Sequence, residues 1–125
     1  MALPTDDAER KALPIFDGVI MYFPDAIAEV ARVSMAGNEQ HNPGQPLHWA
    51  RGKSMDQLNT AIRHMIDHKS GNPFDGSFRG RVVWHLAKAA WRILAALQLA
   101  IEEYNAQNQG LCQSAQSSTE PSTPG

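Results

Sequence analysis

The chain has 125 residues, with 11 basic residues against 13 acidic ones, a size that suits one domain and a balance that argues against a protein built to coat nucleic acid. One cysteine, Cys112, excludes an internal disulfide and favours a reducing compartment. No basic and apolar leader opens the chain, and no apolar run approaches the ~20 residues of a membrane span, so a soluble cytoplasmic protein is expected.

Residues 1–17 hold prolines and charges without periodicity, and read as an irregular arm, partly helical at most. Gly18 through Phe23 is short and apolar. With no pairing partner nearby, it reads as a packed extended lead-in. Pro24 opens a helix where a missing N–H costs least, and Asp25 suits the positive end of its dipole. Ile27, Val30, Ala31 and Ser34 form its inward stripe, and Gly37 is its expected stop. Residues 38–53, with Pro43, Gly44, Pro46 and Gly52, read as a loop long enough to suspect a function.

Ser54-Met55-Asp56-Gln57 has the form of a capping box with Ser54 as N-cap. The helix it opens is expected to bury Leu58, Ile62, Met65 and Ile66, and to end at Gly71 and Pro73. A loop through Phe74, Asp75 and Gly76 leads to a final helix from about Arg79 to Tyr104. There Val82, Leu86, Ala90, Ile93, Leu97 and Ile101 repeat at steps of three and four. Its many alanines permit a close neighbour. From Asn105 the composition of Gln, Ser, Thr, Pro and Gly predicts a disordered tail. The domain proper is thus residues 18–104, an all-α helical bundle. Three helices leave surplus apolar surface, which a homo-oligomer would cover.

Chemistry concentrates on the two later helices. Thr60, His64 and Asp67 lie on one line at steps of four and three, so His64 and Asp67 can reach one metal ion. Taken alone, that line is equally a solvated polar face with an Arg63–Asp67 pair. His85, Lys88 and Arg92 share a face of the last helix, which alone is an ordinary cationic stripe. Facing each other, the two stripes would hold a metal ion and an anionic group. On the first helix Asp25, Glu29 and Arg32 share a face, as a surface ion pair or as a source of ligands.

His64-Met65-Ile66-Asp67-His68 mimics the inverted zinc-protease pattern H-x-x-E-H, but Asp67 is one methylene short and no downstream acidic ligand is well placed. The His-Asp dipeptide of the HD phosphohydrolases, a Gly-rich phosphate loop and a serine elbow are all missing from the sequence.

Four ordered blocks, across about 70% of the chain, carry a family resemblance. Pro24 to Val33 looks like a P-x-A-L-x-E-V-A-R-V helix. Gly37 to Trp49 looks like a G-x-x-K-Y…N-W loop. Ala61-Ile62-Arg63-His64 looks like A-x-R-H, and His85 to Ala90 looks like H-L-A-H-A-A. Together they resemble the phage dATP/dGTP diphosphohydrolases, relatives of the MazG-like all-α nucleotide pyrophosphohydrolases. Gln40-His41, His48 and Lys88 depart from the family pattern, and the loop lysine that would contact phosphate is lost.

The resemblance implies cleavage of a purine deoxynucleoside triphosphate, dGTP or dATP, to the monophosphate and pyrophosphate. It further implies a phage remodelling its purine pool toward 2-aminoadenine. Mn²⁺ or Mg²⁺ would be held by Glu29, His64, Asp67 and His85, the first three counted as catalytic, with imidazole tilting the choice toward Mn²⁺. Lys53, Arg63, Lys88 and Arg92 are the expected phosphate clamps. Trp49 either stacks on the base or anchors its loop. Asn38 and Asp75 either read base edges or support the metal. The competing readings are an HD-type triphosphohydrolase and a non-catalytic helical phage oligomer.

Overall fold

A computed structural model describes residues 3–117. Helix α1 spans Asp7–Ala12, α2 Pro24–His41, α3 Gln57–Lys69 and α4 His85–Ser117; strands β1 (Phe74–Phe78) and β2 (Arg81–Trp84) precede α4. The fold is mainly α, and the expectation of an all-α chain is corrected by this antiparallel hairpin. Arg79 and Gly80 turn it, at φ 51° and 77°. Positive φ at both central residues matches the right-handed twist of paired strands. Arginine rarely takes that conformation, so Arg79-Gly80 carries none of the usual Asn-Gly signal. Phe74 packs edge-on against Trp84 across the strands, with ring centroids 4.7 Å apart.

Other boundaries shift. The irregular arm contains the short α1, capped by the Asp6 carboxylate accepting the Glu9 N–H at 3.0 Å. The extended lead-in is instead a π-helical turn, Phe16–Ile20, with the Met21 N–H reaching back to the Phe16 carbonyl at 2.8 Å. Gly37 does not stop α2, which runs one further turn to His41. A lone helical glycine costs only about 1 kcal/mol, too little to end a packed helix. Gly71, at φ 95°, does follow the end of α3. The helix of Asn105 onward replaces the expected disordered tail as far as Ser117, its Ala and Gln residues being sound helix formers. The rest of that tail lies outside the described residues.

The larger correction concerns which face is covered. Along α3 the covered residues are Gln57, Thr60, Ala61, His64 and His68, one helical stripe at steps of three and four. Ala61 is 1% exposed, while Leu58, Ile62 and Ile66 are 61%, 48% and 57% exposed. The stripe expected to be buried, Met65 included, therefore faces outward. On α4 the same holds for Leu86, Ile93 and Leu97, and on β2 for Val82. The buried apolar side chains among the described residues are alanines: Ala61, Ala87, Ala89 and Ala95. Small buried residues on both helices, Ala61 on α3 and Ala89 on α4, let the two approach closely. No helix among the described residues is long and apolar enough to cross a membrane.

Candidate active site

The seam between α3 and α4 holds the chemistry. His64 projects from the covered stripe of α3, and His85 is the first residue of α4, where the hairpin delivers it. Its N–H donates to the Pro73 carbonyl at 3.0 Å, tying the start of α4 to the start of the hairpin. The His85 side chain is almost fully buried. Its Nδ1 lies 2.9 Å from Nδ1 of His64, and its Nε2 lies 3.9 Å from Oδ2 of Asp67. One donor atom each from His64, Asp67 and His85 fall within 4.8 Å of one another.

Two ring nitrogens face to face need one proton between them. They also suit a cation, because two nitrogens ~2.1 Å from a shared ion in neighbouring positions are themselves roughly 3 Å apart. Two imidazoles and a carboxylate are donors for a borderline divalent ion. Burial holds the His64 pKa below its ordinary 6.5, aided by the neighbouring His85, Lys88 and Arg92 and opposed by Asp75. His64 is thus neutral, the form that binds metal. The donor set fits a divalent cation.

Glu29 lies outside this group. Its carboxylate pairs with Arg32 at 3.6 Å and with Arg81 at 3.4 Å, joining α2 to β2. Among the expected phosphate clamps, Lys88 and Arg92 line the seam. Lys88 Nζ meets Oδ2 of Asp75 at 2.7 Å, and the hydrogen bond from this ammonium holds the Asp75 carboxyl below its usual range. Arg92 donates to Gln57 Oε1 at 3.1 Å and Ser54 Oγ at 3.3 Å. Arg63 is exposed and contacts Thr60 Oγ1 at 2.9 Å and Asp56 at 3.5 Å. Lys53 is an exposed loop residue.

Of the residues assigned to the base, Asn38 and Trp49 hold the loop between α2 and α3, whereas Asp75 lies on β1 and pairs with Lys88. Asn38 donates to the Gln45 carbonyl at 3.0 Å and accepts the His48 N–H at 3.2 Å. Trp49 packs edge-on against Trp91 at 5.8 Å, with the Arg51 guanidinium 4.4 Å from its ring centre. Trp91 itself donates to Ser34 Oγ at 2.7 Å, which fixes α4 against α2.

Sequence reasoning missed the part played by Ser54 and Gln57. The capping box does not form: α3 is capped at Asp56, without a side-chain cap bond. Both side chains serve Arg92 instead, and Gln57 is buried. The available signal was the spacing Gln57, Ala61, His64, His68, a helical stripe of small and polar residues.

A family model described as dATP/dGTP diphosphohydrolase, N-terminal, matches residues 5–109. No curated protein and no solved structure matches the chain. With the match running from α1 through the hairpin and into α4, this chain belongs to the dATP/dGTP diphosphohydrolase N-terminal family.

Proposed function

We propose that this protein is a metal-dependent pyrophosphohydrolase of purine deoxynucleoside triphosphates, dGTP or dATP. The observation that carries the reading is the meeting of His64, Asp67 and His85 across the α3–α4 seam, in a chain of this family. Water attacks the α-phosphorus, the α–β anhydride bond breaks, and the products are the deoxynucleoside monophosphate and pyrophosphate. A bound Mn²⁺ or Mg²⁺ supplies Lewis acidity and lowers the pKa of its water. His64, Asp67 and His85 would hold that ion, and two imidazoles would favour Mn²⁺.

Lys88 and Arg92 carry positive charge along the seam for the leaving pyrophosphate, with Lys53 and Arg63 at its exposed margins. Asn38 and Trp49 shape the base side by anchoring the loop. Glu29 would join the ligand set only on leaving Arg32 and Arg81.

We further infer a MazG-like bundle completed by a second copy. The outward stripe Leu58, Ile62, Met65 and Ile66 supports this, since a single chain leaves it in water. In a phage, removal of dGTP would shift the purine pool toward 2-aminoadenine.

The test is a screen of the eight common nucleoside triphosphates with Mg²⁺ and with Mn²⁺, identifying the products. Pyrophosphate with dGMP or dAMP supports the reading. Tripolyphosphate with a free nucleoside would replace it by the HD-type reaction, and no turnover at all would leave the non-catalytic helical oligomer.

A further inference from the structure

The geometry points to the Lys88–Asp75 pair as an exchange latch, in which an anion taken up by Lys88 frees the Asp75 carboxylate to join His64, Asp67 and His85 on the cation. This rests on the proposed metal centre and adds a fourth protein ligand whose availability depends on substrate.

The backbone ties the segment that carries Asp75 to the first residue of α4. Pro73, two residues before it, is bonded to the N–H of His85. Lys88 follows His85 by three residues, which puts both on one face of α4. The hairpin register breaks between Phe74 and Ser77, around Asp75 and Gly76, and Gly76 sits at φ 71°. That break takes Asp75 out of the ladder. Its side chain is half-buried and turned to Lys88, while Phe74 and Gly76 on either side are exposed.

The pairing also makes electrostatic sense. Three donors leave an ion that prefers six with open positions, and Mn²⁺ and Mg²⁺ accept carboxylate oxygen readily. Lys88 opposes a cation beside His85 unless something negative faces it. Asp75 does so in the free protein, and a phosphate oxygen does so when substrate is bound. Both members of the pair are partly exposed, so a dissolved anion can reach Lys88. Anion and metal then bind with positive coupling, each strengthening the other by the same factor.

Mn²⁺ affinity, read from the EPR signal of the free ion, tests this without turnover. The set is wild type, Asp75→Asn, Lys88→Met and the double variant. With Lys88 present, Asp75→Asn is expected to change the dissociation constant only a few-fold. With Lys88→Met, the same change is expected to weaken Mn²⁺ binding by about 10- to 100-fold, as loss of a group that supports a metal does. Equal effects in both backgrounds would make Asp75 a distant charge and overturn the latch.

Sulfate, which binds free Mn²⁺ weakly, keeps the test open if Lys88→Met fails to fold. It should tighten Mn²⁺ binding in wild type and not in Asp75→Asn. Tightening in both, or in neither, overturns the latch. If wild type binds no Mn²⁺, the metal centre itself falls and the latch with it.

Discussion

Nδ1 of His64 lies 2.9 Å from Nδ1 of His85, although the two residues are 21 positions apart and belong to different helices. The hairpin makes the meeting possible. It spends residues 74–84 on turning the chain, so that α4 begins at His85 against the middle of α3. The two facing ring nitrogens, in a covered polar seam, are spaced for a shared proton or for a shared cation.

The depressed pKa of His64 sets a pH dependence with a definite sign. The unfolded histidine takes its proton near 6.5, and the folded one only at lower pH. Stability from this group is therefore complete above 6.5 and declines as pH falls from there through the lower folded value. Urea unfolding from about pH 8 to about pH 5 should show the decline in wild type and a flatter profile in His64→Gln. Identical profiles would contradict the burial of this ring.

Metal should stabilise the fold through three residues. Mn²⁺ in excess is expected to raise the Tm of wild type, because an ion bound only by the folded chain shifts the equilibrium by mass action. His64→Ala, His85→Ala and Asp67→Asn should each abolish most of that rise and lower kcat/KM by about 100-fold or more. Glu29→Gln separates its two roles. Loss of the Mn²⁺ response would place it on the ion, whereas a lower Tm with the response intact would leave it as the Arg81 anchor.

The outward stripe of α3 predicts association. Tm should rise with protein concentration, and sedimentation should give a mass above the 13.7 kDa of one chain. Ile62→Lys, on the exposed stripe, should lower both mass and Tm. A concentration-independent Tm with a monomer mass would contradict a bundle completed by a second copy.

Asn38 ties the loop at two points, and Asn38→Ala should cost about 1 kcal/mol of stability. A loop anchor predicts a raised KM for every nucleotide alike. A change in the ratio of dGTP to dATP turnover would show instead that Asn38 reads the base edge.

The helices were legible where a strong local signal marked them. Pro24 opens α2, and Gly71 closes α3. The His64–Asp67 line and the facing His85–Lys88–Arg92 stripe were also visible, because side chains three and four apart share a face. The hairpin was hidden by its Arg79-Gly80 turn and by the apolar spacing of Val82 and Leu86, which reads as helix. The inside and outside of α3 were reversed for a physical reason. Periodicity reports that a helix has an apolar face, and not whether its own chain or another covers it. In this chain Ala61 takes the inner place and Ile62 the outer. The roles of Ser54 and Gln57 depend on Arg92, 35 residues beyond Gln57, a contact that local spacing does not encode.

The most direct measurement is the anomalous scattering of manganese in crystals grown with Mn²⁺. The account predicts a strong peak bonded to ring nitrogens of both His64 and His85 and to a carboxylate oxygen of Asp67. A protein saturated with Mn²⁺ whose peak lies elsewhere, with the two imidazoles still sharing a proton, would contradict it.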